Sequence, residues 1–196
     1  ETTIDNRSRD HRVRVHLPLP ERASTSRAGC AFATVTRGLE AEGGPTEQPL
    51  PTYPARDHVT AGRLTVLTEG VMEYELVDIA GPGDAAGGAA TLALTLLRAT
   101  GLLSQGPMET RPVPAGPVVE TPAAQVPGPL TVRYGLAVDL DRAEARAAEV
   151  FVPMLVALPR GPHRADEHRA LRIEGAEVSC VRRRGGRLEV RVWNPS

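Results

Sequence analysis

The side chains of this sequence able to hold a metal, attack a carbonyl or move a proton are few, and their spacing is poor for it. His11 and His16 lie five residues apart on an expected strand, and an odd separation sends them to opposite faces. His163 and His168 repeat that spacing beside Pro162, which favours a loop; on a helix five residues would turn them apart. His58 follows Arg56 and Asp57 with no second ligand nearby in sequence. None of these spacings builds the tetrahedral ligand set of a zinc site, so no metal is expected on this chain. Cys30 and Cys180 are the only cysteines and are expected as separate reduced thiols. A disulfide closing so long a loop would add about 5 kcal/mol in the chain-entropy account, but sequence does not show whether the sulfurs meet. A different chemistry is open to Arg98, which stands where a leucine-rich strand runs into a loop. Its guanidinium can grip a carboxylate or hydroxyls as a fork. It can equally brace the fold by pairing with Glu69, Glu73 or Glu75. Glu69 and Tyr74 are companion candidates for the rim of such a site, against the alternative of a satisfied tyrosine hydroxyl at a sheet edge.

The elements that must position these groups are strands. Residues 64–105 read as an apolar strand that pauses at Thr68-Glu69-Gly70 and resumes at Tyr74-Glu75-Leu76-Val77. A Gly- and Ala-rich loop follows, then a strand with Leu92, Leu94 and Leu96 on one face, a hairpin pattern. Period-2 alternation recurs in Val13, Val15 and Leu17, in Val132, Tyr134, Leu136 and Val138, and in Leu188, Val190 and Val192. Such strands carry one apolar and one polar face, as antiparallel sheets with a wet side require. Gly185-Gly186 predicts a tight turn between the last two strands. One helix is expected after Asp141, which offers a cap with Glu144 three residues on, and Pro153 should end it. Proline-rich residues 38–55, and residues 81–88 and 106–129, read as loops. The fold class is all-β, an antiparallel β-sandwich with at most one short helix.

Composition excludes several functions. The formal net charge is −1 with 24% charged residues, too little field to draw in nucleic acid or anionic lipid. The 23 basic residues are all Arg, a mark of high-GC bacterial coding rather than of function. No apolar run approaches a membrane span and no signal peptide opens the chain, so a cytoplasmic protein is expected. The sequence begins with Glu1 rather than Met, and a strand is still running at Val192-Trp193; a piece truncated at both ends is the expectation. Asn6-Arg7-Ser8 has no role as a glycan acceptor in that setting, and Gly81-x-Gly83 lacks the spacing and lysine of a phosphate loop.

Several segments carry a family likeness. Ile4-Asp5-Asn6-Arg7-Ser8-Arg9-Asp10-His11-Arg12-Val13-Arg14-Val15, the Glu-Tyr-Glu and Leu-x-Leu-x-Leu-Leu-Arg order of residues 73–98, Ala115-Gly116-Pro117 with Glu120-Thr121-Pro122-Ala123-Ala124-Gln125, and the strand of residues 130–136 occur in the order and spacing of one known region. They resemble the C-terminal β-sandwich of glycoside hydrolase family 38, the α-mannosidases, in its bacterial form. The likeness is weakest over residues 40–51 and 159–167. It implies a galactose-mutarotase-like supersandwich, with residues 1–196 forming a C-terminal domain of a larger retaining α-mannosidase. That family's zinc, nucleophile and acid/base lie in an N-terminal catalytic domain whose signatures are absent here. No catalytic residue is therefore expected in this fragment, which alone should be inactive. The resemblance implies that Arg98 approaches the α-mannoside from the C-terminal side, with Glu69 and Tyr74 on the pocket rim. The implied partners are the catalytic domain of the same protein and a possible homo-oligomer. A free-standing carbohydrate-binding module is the alternative, weakened by a total of six aromatics, as is an oligomerisation sandwich with no link to sugars.

Overall fold

Alternating apolar and polar residues become two facing antiparallel sheets in the computed structural model, which describes residues 1–71, 73–79, 87–154, 156 and 171–194. Strands β1 (Thr2–Asn6), β3 (Thr25–Cys30), β4 (Ala33–Gly38), β6 (His58–Ala61), β7 (Leu64–Glu69) and β10 (Gly128–Val138) form one sheet in the order β1-β10-β7-β6-β3-β4. Strands β2 (Arg12–Ala23), β5 (Thr52–Pro54), β8 (Glu73–Ile79) and β9 (Ala89–Arg98) form the second, in the order β2-β9-β8-β5. The core lies between them. Ala28, Val59, Val66 and Val132 from the first sheet meet Leu17, Tyr74, Leu92 and Leu94 from the second in one apolar cluster. Helix α1 (Ala143–Phe151) packs against β6 and β7, burying Ala143 and Ala147. Strands β11 (Glu177–Arg184) and β12 (Arg187–Trp193) pair as a separate hairpin over Gly185 and Gly186, both at positive φ. The all-β sandwich with one helix is what the sequence led one to expect.

Several elements depart from the sequence reading. The run of residues 64–79 is two strands in opposite sheets. Gly70, at φ 73°, turns the chain, so β7 pairs with β10 and β6 while β8 pairs with β9. Only the second half of the expected hairpin is a hairpin. Likewise residues 4–15 are not one strand: β1 and β2 enter different sheets, with residues 7–11 crossing between them. The proline-rich stretch contains a strand after all. Thr52–Pro54 pairs with β8 at the sheet's edge, where a missing N–H is tolerated. The cap at Asp141 does not form; the chain enters α1 through Arg142 in a left-handed conformation, φ 53°, with no side-chain cap bond. Leu136 and Val138 stay exposed although they continue the alternation of buried Val132 and half-buried Tyr134. His163 and His168 lie outside the described residues. No described helix is long and apolar enough to cross a membrane.

Candidate functional site

One end of the sandwich gathers the loops that follow β1 and β9. They are tied by a polar knot whose parts each satisfy another. The Asn6 amide donates to the backbone oxygens of Gln125 and Val126 at 2.8 and 3.0 Å, and its oxygen accepts from Ser8 N–H. Asp10, at φ 51°, donates its N–H to Gln125 Oε1 at 2.9 Å. Its carboxylate accepts from Gln125 Nε2 at 2.8 Å and from Gly101 N–H at 2.7 Å. A Cβ on Gly101 would sit 2.6 Å from Gln125 Nε2, so a larger residue there would push that amide off Asp10. Asn6 and Gln125 are buried, and buried polar groups that are all partnered hold loops in one geometry. The Ala99 N–H bonds the His11 carbonyl at 2.8 Å, clamping the start of β2 to the end of β9.

That clamp frames a cleft of about 570 Å³ lined by Asp10, His11, Arg12, Arg98, Thr100, Ser104 and Arg111, with Leu50, Leu102 and Met108 as its apolar part. Arg98 donates from Nη1 to Glu73 Oε2 at 2.9 Å, and Arg12 reaches Glu73 Oε1 at 3.4 Å. The Thr95 hydroxyl donates to the same Oε1 at 2.7 Å. Burial works against the Glu73 charge, but the Thr95 bond and the Arg98 and Arg12 charges outweigh it and hold this carboxyl below the usual glutamate range. A second rung stands beside it, Arg14 on Glu75 at 2.5 Å. Ser104 Oγ accepts from the N–H groups of Ala115 and Gly116, which folds the far lip. His11 Nδ1 is buried with no hydrogen-bond partner.

Arg98 is therefore both braced and available: its guanidinium rests on Glu73, the middle of the three expected carboxylates, while 67% of the side chain stays exposed. Neither companion joins it. Glu69 ends β7 in the other sheet and pairs with Arg133 at 2.9 Å, outside the cleft lining. Tyr74 has no exposed surface; its hydroxyl bonds Ser26 Oγ at 2.8 Å across the core, and desolvation pushes its pKa up. In this fold Tyr74 is a core residue, because β8 turns that face toward the opposite sheet. Asp10, His11, Arg111 and Gln125 were missed as site residues, although Asp10, His11 and Gln125 stood inside the family-like stretches. The available signal was the density of polar side chains over residues 6–11, too long for a simple turn.

The polar side chains of the cleft are mostly hydrogen-bond donors. Asp10 is the only carboxylate among its lining residues, and its Oδ1 already accepts two hydrogen bonds. Hydrolysis at a glycosidic carbon uses two carboxyls flanking the bond. No three His, Cys, Asp or Glu side chains gather to hold a metal among the described residues. His58 is buried, with Nδ1 bonded to Asp57 at 2.8 Å, and Cys30 and Cys180 are free thiols.

No family model matches the sequence and no curated protein matches it. Solved structures do. An α-mannosidase from Enterococcus faecalis V583 superposes with a TM-score of 0.68 at 26% identity, over 98% of this chain and 21% of that one. A glycosyl hydrolase family 38 protein from Enterococcus faecalis gives 0.65 and 25% identity, over 98% of this chain and 22% of its own. The chain thus spans about a fifth of the length of the solved proteins it matches. In fold and in aligned sequence the chain is similar to about a fifth of an α-mannosidase and of a glycosyl hydrolase family 38 protein.

Proposed function

We propose that this chain is the C-terminal β-sandwich of a longer, metal-dependent retaining α-mannosidase, and that its Arg98 cleft forms part of the sugar-pocket wall. The observation that carries the reading is the alignment of 98% of the chain with part of an α-mannosidase. The cleft supports it. Three guanidinium groups around a concave, partly apolar floor suit a hydroxyl-rich ligand held against a neighbouring surface. The lone carboxylate leaves bond cleavage, and the zinc the family implies, to the portion outside this chain. The partner of the cleft is then the catalytic domain of the same polypeptide, and its ligand an α-mannoside. Two unpaired thiols support a cytoplasmic setting.

The test compares two proteins. The longer protein is expected to hydrolyse 4-nitrophenyl α-mannoside, and the 196-residue chain to leave it intact. In the longer protein Arg98→Ala should raise KM about tenfold or more, the worth of a hydrogen bond from a charged donor, with Arg98→Lys recovering part. Unchanged kinetics would remove Arg98 from the pocket wall, and turnover by the 196-residue chain would overturn the division of labour.

A further inference from the structure

Strand β10 outruns its neighbour. On one flank β7 pairs with residues 133–138, but on the other β1 pairs only with residues 128–132, Thr2 lying opposite Val132. Among the described residues no strand takes that second flank of residues 133–138. An open flank leaves backbone N–H and C=O groups able to pair with an added strand. The side chains there are unfinished in the same way. Val132 is buried, yet Leu136 and Val138, which share its face by the two-residue period, are 53% and 54% exposed. Their cross-strand neighbours Val66 and Leu64 belong to the core. The core face of the six-stranded sheet is thus incomplete along this one edge.

We propose that this edge is completed by the polypeptide leading into Glu1 in the longer protein, which runs beside β10 as an extended, antiparallel prolongation of β1. This rests on the reading of the chain as one domain of a longer enzyme. Two observations favour that occupant. The β1–β10 ladder already fixes a direction and register that deliver the incoming backbone alongside Arg133. The matched α-mannosidase also carries most of its length outside the aligned part. The register makes the occupant specific: the first, third and fifth residues ahead of Glu1 fall opposite Tyr134, Leu136 and Val138 and are apolar.

Hydrogen exchange over residues 133–138 tests this, comparing the longer protein with the 196-residue chain. The edge-facing amides should exchange about 100-fold more slowly in the longer protein. Leu136→Lys should lower the melting temperature of the longer protein by several degrees and leave that of the 196-residue chain within about one degree. Equal exchange in the two proteins overturns the proposal. So does protection that appears in the 196-residue chain as its concentration rises, together with a doubled mass, since the occupant is then a second copy. Turnover of 4-nitrophenyl α-mannoside is read separately: an active enzyme with a labile edge sinks only the strand. An inactive protein with a protected edge supports the strand and sinks the α-mannosidase reading.

Discussion

Three groups converge on the Glu73 carboxyl, the Thr95 hydroxyl and the guanidinium groups of Arg98 and Arg12, so its charge governs where Arg98 can point. Because its folded pKa lies below the ordinary glutamate value, this carboxyl contributes stability above that value and loses it as pH falls through the folded pKa. Glu73→Gln should therefore destabilise by about 1 kcal/mol at neutral pH, a figure already reduced for solvent screening. The gap to the parent should close as acid carries the parent through its lowered folded pKa, where it is protonated too. Denaturant titrations at pH 7 and pH 3 would check both halves. At Tyr74 the expectation is different in kind. Tyr74→Phe strands the buried Ser26 hydroxyl and should cost about 1–3 kcal/mol, with Ser26→Ala in the same background restoring part. A change in KM without loss of stability would return Tyr74 to the pocket rim. Sequence could single out Arg98 because a leucine-rich strand visibly ended there. It misjudged Tyr74 because alternation reports that a residue has a face, not which sheet that face meets.

At the scale of elements, the two sheets are held in relation by crossings that the strand pattern does not display. The β6–β7 turn is built on Gly62 and Arg63, both at positive φ, and the far part of β2 passes directly over it. Glu21 N–H bonds the Gly62 carbonyl at 3.2 Å, and Arg63 reaches both Glu21 and Asp139. A Cβ on Gly62 would lie 1.9 Å from the Glu21 carbonyl oxygen, which is backbone and cannot swing aside. Gly62→Ala is accordingly expected to cost at least about 2 kcal/mol, read as a lowered denaturation midpoint with unchanged slope. Strand existence was legible here, since period 2 survives in a half-buried sheet. Sheet membership was not. Gly70 looks like any turn glycine, and whether the chain doubles back or crosses over depends on partners far away in sequence. The polar knot was hidden for the same reason, because Asp10 and Gln125 come together only once β9 and β10 are laid down.

Across the whole molecule, cohesion is uneven. The sandwich shares one core, whereas the β11–β12 hairpin presents Val178, Val181, Leu188 and Val192 to solvent. It meets the body through the Phe32–Trp193 ring contact and the Arg142–Glu177 pair. Two strands alone are marginal in water. Backbone amides of residues 177–193 are expected to exchange at least about 100-fold faster than those of β7 and β9, which exchange mass spectrometry can resolve. The pairing of the first strand with the tenth also governs how the protein is made. On the ribosome β1 has no mate until Val132 has emerged, on the order of ten seconds after Thr2 at ordinary rates of synthesis. Through that interval the opening strand is an open adhesive edge. Nascent-chain protection by a chaperone over the first ten strands, and sudden resistance to protease once α1 has cleared the exit tunnel, is how such a slab would come to life.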